Sequence, residues 1–343
     1  MGAQAAAALA RAAAGGVLGT PPPGAGLPLV GGVDLDALPR PYDLHRVALS
    51  HGGAGLPPTA YDAGARALHR VLAGGDGGPV TVTVTAAGPD RLRATWGREG
   101  VDPAAVVGPL RRLLGLDVVL DELAKAARDA ADALPAVAAA VDAGGGRLLA
   151  PPTVWEALVT GLLSTRSSWS ATRAAVGRLV AAADGTAPAT GPHGERAFPA
   201  PEAVAARDEA WLGAHVRAGY RTPALLALAR AVAGGRVDPE RWRDPAVDDG
   251  EVAEAVRALP GFGAFSADTV LGLLGRPRGL ALDGWARRAL AGRLGVDVEA
   301  VTPALVAERY APLGRWAGTG LGVELSTAWL PVPDRAGSTC HHR

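Results

Sequence analysis

The stretch Leu259-Pro-Gly-Phe-Gly-Ala-Phe-Ser-Ala267 constrains this chain more than any other. Pro260 and Gly261 punctuate a tight turn, and Gly261 and Gly263 are both free to adopt positive φ because neither has a Cβ. Ala264 to Leu274 then carries an apolar helical pattern, which Gly275 and Pro277 end. A helix that starts on glycine presents backbone N–H groups without partners, and such groups bind phosphate oxygens. The run Ala281-Leu-Asp283-Gly-Trp-Ala-Arg287-Arg288 follows. It puts Asp283 at the N-terminal edge of the next helix, where the helix dipole favours the ionised carboxylate. The alternative is a Gly-Pro loop between two core helices, with Asp283 a simple cap.

At 343 residues with 48% hydrophobic content, the chain is long enough for two domains or one large one. It has no apolar run of the ~18 residues that a membrane-spanning helix needs. Residues 1–32 are Ala/Gly/Pro-rich and read as a disordered tail, with a frayed helix over Ala5 to Ala14 as the one alternative. They lack the basic start and strongly apolar stretch of a secretory signal. A single cysteine, Cys340, rules out an intrachain disulfide and a four-cysteine iron–sulfur cluster. Cys340-His341-His342 reads as the end of a C-terminal tail, 333–343, rather than a metal site. No cofactor is expected.

Between these tails the pattern changes once. Pro41 to Trp96 has strand character: Tyr42 to Leu49 alternates loosely and Val80-Thr-Val-Thr-Val-Thr85 alternates cleanly. Gly88-Pro89-Asp90 turns the chain back into Leu92 to Trp96. With a helix expected around Tyr61 to Leu72, this predicts a small antiparallel α+β domain over 33–115. Asp102-Pro103 starts a helix, and the rest is helical over 103–114, 118–133, 152–164, 169–183, 208–217, 222–234, 251–258, 264–274, 284–294 and 302–310. The mostly α fold class follows, with the helical domain over 116–332. The loop Asp184 to Arg196 is polar and expected to be exposed.

Formal net charge is zero, so overall charge gives no sign of nucleic acid binding. Its distribution does, because Ala255 to Gly295 holds six Arg against two Asp. All but one of the 34 basic residues are Arg, and the exception is Lys125.

Leu-Pro-Gly-Phe-Gly, with Asp283 20 residues after Gly263 and Arg287 four further on, resembles the helix-hairpin-helix DNA glycosylase superfamily. The resemblance is to the 3-methyladenine glycosylase II and 8-oxoguanine glycosylase branch. Trp155 to Arg173, Gly219-Tyr220-Arg221 and Tyr310 to Trp316 extend it over roughly residues 40 to 330. It implies a monomeric repair enzyme that binds double-stranded DNA, everts a damaged base and breaks its N-glycosidic bond. It further implies a cytoplasmic, nucleoid-associated and bacterial protein.

The resemblance also implies roles. Asp283 would be the catalytic carboxylate. Pro260, Gly261, Phe262, Gly263 and Ser266 would grip the strand, with a monovalent cation bridging hairpin carbonyls and phosphate. Arg166 and Ser167 would wedge toward the orphan base, although relatives carry Gln or Asn there, and Arg166 reads equally as a solvated loop charge. Arg221, Arg287 and Arg288 would contact the DNA backbone, although Arg221 also reads as a surface pair. Bifunctional relatives carry a Lys two residues after the second hairpin Gly, where this chain has Phe265. A monofunctional enzyme follows, most readily one for alkylated bases, which stack on aromatic faces. Phe265, Trp285, Trp155 and Trp169 are the pocket candidates, with Trp211 behind them; each also reads as core. Oxidised or deaminated bases, and a non-catalytic damage binder, remain alternatives.

Overall fold

The structure is a computed structural model that describes residues 3–74, 78–182, 191, 194–276, 279–280 and 282–332. The N-terminal part is a six-stranded antiparallel sheet in the order β1-β3-β4-β5-β6-β2. Its strands are β1 (Val17–Leu18), β2 (Gly31–Leu35), β3 (Thr59–Asp62), β4 (Ala67–Ala73), β5 (Pro79–Ala86) and β6 (Leu92–Trp96). The valines of β5 explain its place at the centre. Val80, Val82 and Val84 are buried, and they sit opposite Leu72, Arg70 and Leu68 of β4. The helix α3 (Pro103–Leu113) covers this face with Val106, Leu110 and Leu113, after the cap that Asp102 provides to the Ala104 N–H at 2.9 Å.

Three readings of this region need correction. Residues 61–72 form the β3–β4 hairpin, not a helix, with Arg66 at φ +50° in the turn. A short, mostly apolar stretch such as Ala67–Ala73 fits either state, and here pairing on both sides of β4 decides it. Residues 44–48 form the short helix α2 (Leu44–Ala48), because the Asp43 carboxylate accepts from the N–H groups of His45 and Arg46 at 2.8 and 3.3 Å. Residues 3–32 also contain regular structure. The helix α1 (Ala3–Ala13) buries Ala5, Leu9 and Ala12, while Val17 and Leu18 add the edge strand β1. Alanines at helical spacing suffice here because the sheet supplies the opposing apolar face.

The helical part has two cores. One joins α6 (Val154–Ser164), α7 (Trp169–Ala182), α8 (Pro201–Ala205), α9 (Glu209–His215), α10 (Thr222–Ala233), α11 (Asp249–Ala258) and α12 (Ala264–Leu273). The other joins α4 (Asp121–Asp129), α5 (Pro135–Asp142), α13 (Gly284–Leu294), α14 (Pro303–Tyr310) and α15 (Ala317–Ser326). The α15 helix escaped sequence reading because Gly318, Gly320 and Gly322 lower its propensity. Gly320 is needed, since a Cβ would fall 2.1 Å from the Leu313 side chain. Residues 183–190, 192–193 and 333–343, including Cys340, lie outside the described residues; the described Glu195, from the same expected exposed loop, is buried. Among the described residues, no helix is long and apolar enough to cross a membrane.

The sheet is fastened to the helical part by a buried ion pair. Arg70 on β4 meets Glu156 on α6 in two parallel hydrogen bonds of 2.8 and 2.6 Å, with side chains only 3% and 6% exposed. Arg70 also donates to the Thr59 hydroxyl at 2.8 Å. At the other end of the chain, the Trp329 indole N–H donates to the Leu49 carbonyl at 2.8 Å. Glu156→Ala is expected to cost about 3–5 kcal/mol, because it strands a buried guanidinium. Chemical denaturation will measure this, and the double replacement Arg70→Met with Glu156→Leu is expected to recover most of the loss.

Candidate active site

The hairpin lies between α11 and α12. Asp248 caps α11 by accepting from Gly250 N–H at 2.7 Å, and Leu259 closes the helix against the core. Gly261 has φ +87°, and a Cβ there would fall 2.6 Å from Leu162 Cδ1 on α6. Both facts require glycine. Gly263 differs from expectation, since its backbone is extended, at φ −135° and ψ −171°. Its role is openness, because a Cβ at this position would meet nothing within 4 Å. No side chain caps α12, and Gly263, Ala264 and Phe265 at its start are exposed, which is the chemistry of an anion-accepting helix start. Phe262 anchors the turn by packing on the α6–α12 core. Pro260 is exposed, whereas the Ser266 side chain is buried, which leaves that residue only its backbone to offer a ligand. The Leu259 and Gly263 carbonyls accept from Phe262 and Ala267 N–H groups. Those of Pro260, Gly261 and Phe262 accept no backbone N–H among the described residues, so a carbonyl-held monovalent cation fits the turn.

A cleft of about 790 Å³ opens where the three cores meet. Asp283 lines it and at the same time caps α13, accepting from Ala286 N–H at 2.7 Å. The two readings of this residue therefore coincide. The cap fixes the carboxylate's position, and the cleft leaves it half-buried and reachable. Phe265 lines the same cleft and is 43% exposed, unusual for so large an apolar side chain. Trp285 is half-buried on the cleft and leans on Trp329 at 5.9 Å between ring centroids. Trp169 opens α7, and its ring lies against Gly52 and Gly55 of the sheet domain, where added Cβ atoms would approach to 3.0 Å. Trp155 is the exception: it is 4% exposed and donates to the Pro199 carbonyl at 2.8 Å, so it is core and not pocket wall. Trp211 stacks on His215 at 4.5 Å, away from the cleft.

Sequence reading missed several lining residues, because no motif surrounds them. His51 accepts from Gly53 N–H at 2.9 Å through Nδ1 and donates from Nε2 to the Leu149 carbonyl at 2.7 Å. Burial holds its pKa below the ordinary histidine value, so the ring stays neutral in one tautomer. Trp316 and Asp268 also line the cleft.

The turn from α6 to α7 carries Arg166 exposed and at φ +47°, with Ser167 half-buried on the cleft. The preceding carbonyl, that of Thr165, accepts from the Tyr220 hydroxyl at 3.2 Å and from Arg221 Nε at 2.9 Å, and also from Arg221 Nη2. The guanidinium lies over the Tyr220 ring at 4.3 Å. Arg221 therefore holds the turn, and its half-buried guanidinium lies at the surface pair that the sequence also offered. Arg287 is half-buried and donates to the Val301 carbonyl at 3.0 Å, whereas Arg288 is exposed. The N-terminal helix reaches the same region, since Gln4 accepts from Ser170 N–H and hydroxyl at 3.4 and 3.2 Å. No cluster of three or more His, Cys, Asp or Glu suited to a metal ion occurs among the described residues.

An outward-facing hairpin turn, an aspartate capping the next helix at a cleft, and an antiparallel sheet packed alongside make up a fold shared with solved DNA glycosylases. The chain is similar to a 3-methyladenine DNA glycosylase from Archaeoglobus fulgidus, with a TM-score of 0.64 at 18% identity over 87% of this chain and 98% of that one. It is similar to MBOgg1 solved with a low-affinity DNA ligand, with a TM-score of 0.62 at 16% identity over 87% and 96%. An 8-oxoguanine glycosylase/lyase from Clostridium acetobutylicum, solved with DNA, gives 0.55 at 17% identity over 76% and 87%. No family model and no curated protein matches the sequence.

The two hairpin glycines separate folding from binding. Gly261→Ala is expected to lower stability by about 1 kcal/mol or more, through its positive φ and the Leu162 contact. Gly263→Val is expected to leave stability near wild type and to weaken DNA binding across all sequences, since a bulky side chain blocks backbone approach. Thermal melting and a binding titration will check both.

Proposed function

We propose that this protein is a monofunctional DNA N-glycosylase that hydrolyses the bond between an everted, damaged base and its deoxyribose. The observation that carries the reading is the position of Asp283, fixed by capping α13 and open to the cleft beside an aromatic wall. Eversion costs a few kcal/mol, less for a damaged or mispaired base. The α12 N-terminus and the Gly261–Gly263 turn would offset part of this by holding the strand, with Pro260, Gly261 and Phe262 carbonyls holding a monovalent cation against phosphate. Arg166 would enter the stack at the vacated position, its backbone fixed through Thr165. Phe265, Trp285 and Trp169 would face the base.

As the glycosidic bond lengthens, positive charge develops on the sugar. A preorganised carboxylate next to it stabilises that charge and orients the attacking water. The absence of lyase chemistry rests on Phe265, which stands where a Schiff-base Lys would be needed. Lys125 cannot replace it, because it is on α4 paired with Asp129 at 2.5 Å and does not line the cleft. Alkylated purines are the favoured substrate class, since a cationic ring gains about 0.5–2 kcal/mol on an aromatic face.

Asp283→Asn is expected to reduce base release by at least ~100-fold while leaving DNA affinity near wild type, because only transition-state charge stabilisation is lost. Excision that persists within tenfold on a lesion panel would remove Asp283 from its role. Borohydride treatment during turnover is expected to trap no covalent protein–DNA adduct, and gel electrophoresis will show one if an amine attacks the sugar.

A further inference from the structure

The reaction above leaves one carboxyl group on the cleft wall without a task. Asp117 is paired with Arg111 at 3.0 Å, Glu156 is bound to Arg70, and Asp283 serves the sugar. Asp268 remains. It belongs to the face of α12 that lines the cleft, with Phe265, Thr269 and Gly272 at helical spacing. Phe265 stands at the exposed end of that face, and Asp268 lies about one turn further in. Its side chain rests on Gly279, where an added Cβ would lie 2.2 Å from the carboxyl carbon, so the backbone at Gly279 covers one side of it. Asp268 is half-buried and makes no hydrogen bond among the described residues.

The geometry points to Asp268 as the proton donor to the departing base, which extends the protein's substrates to neutral bases such as deaminated purines. This rests on the glycosylase reading. A 7-methylpurine carries its positive charge into the bond and leaves as a neutral ring. A neutral purine leaves as an anion unless it gains a proton. In the step assigned here, the C1′–N9 bond breaks and its electron pair goes to the base. The Asp268 proton moves to a ring nitrogen, giving a neutral free base and an Asp268 carboxylate. Water bonds to C1′ and gives its proton to Asp283, and solvent restores both aspartates. One water is consumed.

The surroundings favour the protonated donor. Burial raises the Asp268 pKa above the ordinary carboxylate value, and Arg257 on α11 partly opposes this. On the elements packed against α12, α11 also carries Asp249, Glu251 and Glu254, and α6 carries Glu156, which is paired with Arg70; Asp283 lines the same cleft, and Arg276, just past α12, is paired with Asp249 at 2.6 Å. DNA in the cleft excludes water and adds phosphate charge, and both raise a carboxyl pKa. The active form is protonated, so release of a neutral base falls as pH rises through this pKa, whereas release of a cationic base does not.

The test uses the full chain and two duplexes that differ only in carrying 7-methylguanine or hypoxanthine. Free base is measured in single turnovers across pH, with melting as a control. Wild type is expected to release both. Asp268→Asn is expected to slow hypoxanthine release by ~100-fold or more and to flatten its pH dependence, with 7-methylguanine release unchanged. Asp268→Glu, which retains a donor, is expected to regain part of the hypoxanthine rate. Equal slowing on both substrates would make Asp268 a support for the Asp283 segment and overturn the assignment. So would an unaffected variant, or a wild type that releases only 7-methylguanine. A wild type that releases neither base would instead bring down the glycosylase reading, and this assignment with it.

Discussion

The placement of α6 controls most of this molecule, and the Arg70–Glu156 pair controls α6. Near the start of the helix, Thr153 caps it and Glu156 is gripped by the sheet. In its last turns, Leu162 touches the one glycine that lets the hairpin turn close. Just past its end, the Thr165 carbonyl is held by Tyr220 and Arg221. One rigid helix therefore sets the distances between sheet, hairpin and turn. A buried ion pair adds little net stability for its desolvation cost, but it tolerates few alternative arrangements. Its value here is geometric, since a slip of α6 would strand two charges.

The cationic side chains show a related economy. Many guanidinium groups here bind backbone carbonyls inside the fold. Arg112 holds Pro152, Arg147 holds Gly115 and Val118, and Arg276 holds Trp242 and Val247. A planar five-donor group suits this better than an ammonium, which fits a chain with a single Lys. The basic surplus counted over 255–295 is thus smaller at the surface than in the sequence. Arg276 is spent on α11 and its neighbours, and Arg287 is partly spent on Val301. The surface around the hairpin therefore offers an anion short-range backbone N–H groups more than a broad positive field.

The parts legible in the sequence were those governed by local chemistry. The hairpin turn, the Asp102 cap and the alternation of β5 each follow from a few adjacent residues, and the structure contains them. Asp283 was visible as a helix start for the same reason. Features set by distant partners were not legible. The Ala67–Ala73 run became a strand because β3 and β5 flank it, and α1 became ordered because the sheet offered a face. Trp155 and Trp169 look alike in sequence, yet one bonds a carbonyl in the core and the other lines the cleft. Asp268 and His51 carry no local signature, and only the assembled walls of the cleft single them out.

The docking of α1 beside the α6–α7 turn has a practical side. Gln4 reaches Ser170, and Ala5 borders the cleft itself. An affinity handle fused ahead of residue 3 would hang over the entrance to that groove. Such a fusion would narrow the way into the groove, and proteolytic trimming would reopen it.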